Sequence, residues 1–584
     1  MEEWVTNVSK QISKSHQPLQ RSTILRIDTG RRGDEGSGRQ RGTRGNIVAG
    51  AAVPGAPRKR GEGLGVDTDD ETDEDDRGGV MIMFEDEATQ PPNKKRRDPV
   101  DEAVNNAKRW QELRPEILRR SVESTTAVWD GPLGRRLYSE AEFTEACKCT
   151  VCPVCDYGPV DAPIGHARVE YLTATGVSLI SVPIYRCELC STQFHQHPVD
   201  VNAFPATPTR STALTVNSSA AADAAAACWI DMRLLERYFI LQYNNPQMSE
   251  LDICQTLTTP SVHGPDLDSD QQIPLERLQK YLGEALPEYL VVRAALQDPT
   301  TLGCPDYPTR RTRLAVCSAC GLSGPDRRLH SVHFDACMKL KAQEHAARTQ
   351  NAAVPVSMLN WRIMPVTSEK PLVAAAPNIT GTRAWCAELD ELMGHVRPTG
   401  PCADERDFAA AENGKGKAAN PALSERGLFG AVCSHGFILL AAVMPEGERY
   451  AFAVMCLVVL AKEQGCKIAN AWYDIACRFF PYLRRYIQRL IEERHPDAEL
   501  LKKCLGETQT PLPTMHELMH ILACRIDFSS RNIKGAGTGV GDIVESVWAH
   551  FGKYGKRHSL MSSAKRLTLT TANIEQWNLT KDVR

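Results

Sequence analysis

The sequence predicts an α/β protein of several domains, with its mixed α/β part in the second half and a metal-binding part before it. Three observations carry this. The chain is 584 residues long, well beyond one ordinary domain. From Arg313 onward, short β-branched runs alternate with runs of helical period. Ahead of them, cysteines recur in C-x-x-C pairs.

Residues 1–105 carry their charge in blocks: basic from Arg31 to Arg44, acidic from Asp67 to Asp76, then Lys94-Lys95-Arg96-Arg97. The whole chain is near neutral, with Lys+Arg 69 against Asp+Glu 72, so the segregation is the informative feature. Such blocks bury no core and predict a disordered N-terminal region. The Lys94–Arg97 cluster has the form of a nuclear-localisation signal, which predicts a nuclear protein. The polar N-terminus does not read as a signal peptide, and no apolar run reaches the roughly 20 residues of a membrane span. Twenty cysteines without a secretory signal point to zinc and a reducing compartment, not to disulfides.

Ala107 to Glu123 reads as a helix. In the cysteine-rich segment 140–210, Tyr171 to Tyr185 alternates as a hairpin does. Residues 211–305 read as a helical region. There Trp229, Leu234, Leu235, Tyr238, Phe239 and Leu241 recur near helical spacing, Pro260 to Pro274 is a loop, and Leu275 to Leu296 is a helix. The α/β region spans 313–566. Its strand Leu329–Met338 is followed by a hairpin, Leu428–Val443, broken at Ser434-His435-Gly436. Then come a buried helix, Tyr450–Glu463, a strand, Lys467–Tyr473, and a basic amphipathic helix, Arg478–Glu493. Leu518–Ile526 suits a strand or a short helix, and Asp542–Phe551 is the last helix. Residues 339–427, Gly/Ala/Pro-rich in places, read as an insertion. Strand, hairpin, helix, strand, helix, with carboxylates at strand ends, is compatible with a ribonuclease-H-like core.

Cys147, Cys149, Cys152 and Cys155, then Cys187 and Cys190, then His195 and His197, supply eight zinc ligands. Each C-x-x-C turn places two thiolates on one side of an ion, and a second turn closes the tetrahedron. The expected division is one zinc on Cys152, Cys155, Cys187 and Cys190, and another on Cys147, Cys149, His195 and His197. Cys317 and Cys320 form a further pair, with Cys402, or Cys433 and His435, as partners.

Asp335 and Asp474 stand at strand ends, and Glu545 on a helix after a glycine-rich loop. Two strand-end carboxylates and a helix-borne one suit two divalent metals against a phosphodiester. Asp474 also suits a helix N-cap, and Asp542 and Glu545 have capping-box spacing. Arg478, Arg484, Arg485 and Arg489 follow Asp474, while Lys553, Lys556, Arg557, Lys565 and Arg566 follow Glu545; such charge would neutralise DNA phosphates. His516-Glu517-Leu518-Met519-His520 matches the H-E-x-x-H of zinc metallopeptidases, a rival enzyme reading.

From Cys147 to Arg566 the chain resembles the Kyakuja–Dileera–Zisupton (KDZ) transposases with their cysteine-rich CxC domain. The blocks that carry the resemblance are the cysteine cluster with Ala203–Pro208, Val332–Leu340, Gly427–Gly436, Glu446–Tyr450, Tyr473-Asp474-Ile475-Ala476-Cys477 and Gly539–Trp548, in family order. The resemblance implies a DDE-type transposase with a ribonuclease-H-like fold that uses Mg²⁺ or Mn²⁺ to cut transposon ends and join them to target DNA; a homo-oligomer is the expected assembly. Asp335, Asp474 and Glu545 match its three acidic positions. The third block here reads Gly541-Asp542-Ile543-Val544-Glu545-Ser546, where the family has Gly-Glu-Gly-x-Glu-Arg, which leaves Asp542 beside Glu545 as the third ligand. The chain ends soon after Arg566, where further helices are expected. A catalytically inactive, transposon-derived zinc- and DNA-binding protein is the alternative from another class.

Overall fold

The computed structural model describes residues 99–127, 146–149, 152, 155, 162–174, 176–208, 227–258, 274–296, 317–320, 328–343, 363–364, 381–394, 423–445, 447–465, 467–537 and 541–582. The charged region expected to be disordered lies outside them up to residue 98, as do the loop 259–273, Cys402 and much of 339–427.

Helix α1 (Pro99–Ala127) leads into a sheet built from β1 (Gly165–Thr173), β2 (Gly176–Arg186), β3 (Gln193–Phe194), β4 (Ala203–Pro205) and β5 (Ala227–Asp231), in the order β3-β2-β1-β5-β4. Strands β1 and β2 are the hairpin expected around Tyr171–Tyr185. Its alternation sends Val169, Tyr171, Ile180 and Val182 into one core with Trp229. Trp229 is therefore not helical, contrary to the periodicity reading. It lies in β5, which pairs in parallel with β1. The helix begins after Asp231, whose carboxylate accepts a bond from the Arg233 amide at 2.7 Å and so caps α2 (Met232–Asn244). Helices α3 (Glu250–Thr258) and α4 (Leu275–Leu296) pack with α1 and α2 around Phe204, Tyr238, Phe239 and Leu282.

The second half starts with β6 (Arg328–Cys337), β7 (Ala342–Gln343), β8 (Ile363–Met364), α5 (Thr382–Met393), β9 (Leu423–Glu425), β10 (Gly427–Cys433) and β11 (Ile438–Met444). It continues with α6 (Tyr450–Gln464), β12 (Lys467–Trp472), α7 (Ala476–Glu492), α8 (Ala498–Leu505), α9 (Leu522–Phe528), α10 (Ile543–Phe551), α11 (Gly555–Ser559) and α12 (Ser563–Asp582). The main sheet has the order β12-β6-β10-β11-β8. Strands β6, β10 and β11 run antiparallel to their neighbours in turn, and β12 lies parallel to β6 on the other side. Beyond β12 the ladder continues for one step. Ala471 donates to the Gln509 carbonyl at 2.8 Å, and Gln509 donates to Ala469 at 2.9 Å.

Of the two readings of 518–526, strand or short helix, the helix holds: a 3₁₀ turn, His516–Met519, leads into α9, and strand-like pairing comes earlier, at Gln509. Two expectations are corrected here. The segment 339–427 is not all insertion. Helix α5 buries Trp385, Leu389 and Met393 in the main core, with the Trp385 indole bonded to the Ala451 carbonyl at 2.8 Å, and β8 pairs with β11. The structure also runs past Arg566, because α12 continues to Asp582. Among the described residues no helix is long and apolar enough to cross a membrane.

Candidate acidic site and metal clusters

Asp335 and Asp474 come together through register. In the parallel pair β6–β12, His333 lies opposite Trp472. Two residues further along, Asp335 lies inside β6, two residues short of its end and not at the strand end expected from the sequence, while Asp474 follows the end of β12. The period of two puts His333, Asp335 and Cys337 on one face of β6. Cys337 there packs with Val544, Val547 and Trp548 of α10, and the His333 imidazole stacks on Trp472 with centroids 5.3 Å apart. Asp474 is not the cap of α7: Ile475 holds that position, and no side chain caps the helix.

Glu545 reaches this face because α10 lies close against the sheet. Gly430 pairs with Asp335 across β6–β10. A Cβ on Gly430 would stand 2.4 Å from the Trp548 ring, so only hydrogen lets α10 approach here. At the start of α10, Gly541 has φ +77°, and a Cβ there would meet Pro513 and Trp472 at 2.7 Å. The Gly541 carbonyl lies 3.0 Å from His333 Nδ1. Asp542 takes the N-cap position without making a side-chain cap bond. Its carboxylate, Glu545 and His516 place ligand atoms within 4.8 Å of one another, and His516 Nε2 is 3.1 Å from Glu545 Oε1.

The electrostatics fit carboxylates crowded away from water. Burial raises Asp335 to about 7, and the charges of Asp474 and Glu545 add to the rise. Burial also raises Asp474, against the pull of His516. Glu448, not singled out from the sequence, is raised to about 8 by burial and by the Asp474 charge; it accepts the Tyr473 hydroxyl at 2.7 Å. His516 is raised by its bond to Glu545. Asp474 Oδ1, Asp542 Oδ1 and Glu545 Oε2 are buried without a hydrogen-bond partner. Buried orphan acceptors are costly, and a cation resolves them. Hard oxygen donors of this kind suit Mg²⁺ or Mn²⁺.

The H-E-x-x-H reading fails on geometry. That motif needs a helix presenting two imidazoles together. Here the segment is a 3₁₀ turn, His516 joins the acidic group, and His520 turns to Cys477 at 3.6 Å. Glu517 is occupied by the Ser529 hydroxyl at 2.9 Å.

Two sulfur-rich clusters of four ligands each can hold a metal ion. Cys152, Cys155, Cys187 and Cys190 converge, with Cys152 and Cys190 Sγ 3.7 Å apart and Cys155 and Cys187 Sγ 3.4 Å apart. Cys317, Cys320, Cys433 and His435 converge as well. Cys433 ends β10 and His435 sits in the hairpin turn, so this group ties the hairpin tip to the 317–320 segment. His435 Nδ1 lies 3.6 Å from Cys317 and 3.4 Å from Cys320. The second expected set, Cys147, Cys149, His195 and His197, does not assemble. Cys147 is packed in the β1–β2 core, and Cys149 donates to Gln196 at 3.1 Å. His195 bonds the Gln196 carbonyl, and His197 caps the 3₁₀ turn Pro198–Val201 by accepting from the Val199 amide. Residue spacing could not reveal that these groups had nearer partners.

The basic residues divide in two. Arg485, Lys553 and Lys556 are exposed. Arg485 lines an open groove of ≈ 790 Å³ with Arg489 and Lys502. Arg478 is buried, and Arg484 donates to the Gly506 and Thr508 carbonyls while stacking on Phe480. Arg557 donates to the Met248 carbonyl. These three hold the fold together and are withdrawn as a surface for phosphates.

A mixed α/β domain with acidic residues on and beside the paired strands β6 and β12, and with flanking cysteine sites, is thus the class of molecule in hand. Residues 330–578 match the model of the Kyakuja-Dileera-Zisupton transposase family, and the chain carries a KDZ transposase domain. No curated protein and no solved structure matches the chain.

Proposed function

We propose that the domain is a DDE-type DNA transposase core of ribonuclease-H-like architecture, in which Asp335, Asp474 and Glu545 hold two Mg²⁺ or Mn²⁺ ions. The observation that supports this is the parallel pairing of β6 with β12, with His333 opposite Trp472, together with the raised Asp335 carboxyl to which the charges of Asp474 and Glu545 contribute. When bound, such ions activate water or a 3′-hydroxyl and stabilise the leaving oxygen of an in-line displacement.

The chain's own residues prepare this. Crowding leaves the carboxylates protonated or mutually repelled until cations arrive, which favours uptake of positive charge. His516 fixes the Glu545 carboxylate from one side, and Asp542, on the same turn, is a second acidic donor. Exposed Arg485, Lys553 and Lys556 supply cations for DNA phosphates. Zn²⁺ is the ion proposed for both clusters: in the first the sulfur separations approach the roughly 3.8 Å edge of a zinc–thiolate tetrahedron, and in the second His435 Nδ1 lies 3.6, 3.4 and 3.9 Å from Cys317, Cys320 and Cys433 Sγ. Action in the nucleus, on transposon ends and target DNA, as a homo-oligomer, completes the reading.

The test is nicking of double-stranded DNA with Mg²⁺ or Mn²⁺ by the full chain, by Asp474→Asn and by Glu517→Gln. Loss of activity with Asp474→Asn alone is expected. Loss with Glu517→Gln alone would overturn the assignment. Bound but uncut DNA with the unmutated chain would favour the catalytically inactive alternative.

A further inference from the structure

We propose that Cys477, His520 and Cys524 bind a third zinc ion, at a site separate from both the acidic cluster and the two C-x-x-C clusters. Their ligand atoms lie within 4.8 Å of one another, and all three residues are buried. Three elements bring them together. Cys477 stands in the first turn of α7, His520 follows the 3₁₀ turn, and Cys524 lies in α9. Leu512 packs beside them, and its amide donates to the Phe528 carbonyl at 2.8 Å, which draws α9 toward the end of β12.

The chemistry of the imidazole gives the direction. His520 Nε2 is 2.8 Å from the main-chain oxygen of Asp474. A carbonyl oxygen only accepts, so Nε2 carries the proton and donates. Nδ1 then offers its lone pair, and it lies 3.6 Å from Cys477 Sγ. A tetrahedral zinc with Zn–S near 2.3 Å and Zn–N near 2.05 Å has an S···N edge of about 3.5 Å. An imidazole whose outer N–H is held by a carbonyl while its other nitrogen faces sulfur is the usual arrangement of a metal-bound histidine. One nitrogen and two sulfurs select a borderline-soft ion over Mg²⁺ or Ca²⁺. Three protein ligands leave the fourth position to a water or hydroxide. The assignment also explains why the H-E-x-x-H segment splits its two histidines. His516 serves the carboxylates and His520 the thiols, and the zinc would sit one hydrogen bond from the backbone of Asp474.

This zinc site stands without the catalytic reading, and its test reads metal and thiols instead of DNA cleavage. Zinc per chain is measured on the full-length protein and on Cys524→Ser purified without chelator. The expected result is one zinc fewer in Cys524→Ser, with the helical circular-dichroism signal kept. In parallel, alkylation of the unmutated chain is followed by peptide mass spectrometry before and after 1,10-phenanthroline. This arm decides the matter if the variant does not fold. Cys477 and Cys524 are expected to become reactive only after chelation. Equal zinc in the folded variant, labelling that ignores the chelator, or a Cys477–Cys524 disulfide in the isolated chain would each overturn the proposal.

Discussion

At the scale of the residue, Asp335 holds its proton far above the ordinary carboxylate range because the folded chain offers it little water and several negative neighbours. Folding therefore takes up a proton between the usual 3.8 and about 7. A group of this kind adds stability that is complete below its unfolded value and lost as pH rises through its folded value. The chain without added divalent cation is thus expected to lose on the order of a few kcal/mol between pH 4 and pH 8. Urea unfolding across that range measures the loss, and Mg²⁺ or Mn²⁺ should restore most of it at pH 8. Asp335→Asn should flatten the profile, and an unchanged profile would count against the buried, coupled carboxylate. The sequence singles out Asp335, Asp474 and Glu545 because each lies in or after an apolar run or opens a helix. It does not single out Glu448 or the bond between His516 and Glu545. They depend on a loop and a turn that meet only after the sheet has formed.

At the scale of the element, the placement of α10 depends on a missing side chain. Gly430→Ala would push a methyl group into Trp548 and tilt α10 away from β6. Overpacking of this sort costs about 1–3 kcal/mol. The expected outcome is a folded, less stable protein whose DNA nicking falls at least about tenfold, as a misplacement of about 1 Å can bring. Pairing it with Trp548→Leu should recover part of the loss. A Gly430→Ala variant with full activity would show that Glu545 need not approach so closely. The elements themselves were largely legible: the two hairpins, α6, β12, α7 and α10 follow their apolar patterns. The misses have local causes. Trp229 belongs to a run that is equally good as a buried strand, and β5 is chosen by pairing with β1. The His195 and His197 pattern suggested zinc, but the fold does not bring these rings and the Cys147 and Cys149 sulfurs within one ion's reach.

At the scale of the molecule, the C-terminal helix joins two cores. On α12, Leu569 and Ala572 enter the cluster around α4, whereas Leu567 and Ile574 enter the one beneath α10. Asn578 makes the junction specific: its side chain accepts from the Ile438 amide at 2.9 Å and donates to the Ile438 carbonyl at 3.0 Å. Asn578→Leu removes both of these hydrogen bonds, at about 0.5–1.5 kcal/mol each. A single thermal transition shifted downward is expected for the full chain. An unshifted transition would mean that α12 is not part of the cooperative unit. No sequence pattern announced this helix as a bridge, because its apolar residues are divided between two faces.

The proposed sharing of divalent cations by Asp335, Asp474 and Glu545 can be seen directly with Mn²⁺. Crystals of the full chain soaked in Mn²⁺ and measured at the manganese edge should show two anomalous peaks about 4 Å apart. One should lie between Asp335 and Asp474, with Glu545 completing the group. No peak at this cluster under saturating Mn²⁺, or a single peak held by His516, Asp542 and Glu545 without Asp335 and Asp474, would contradict it.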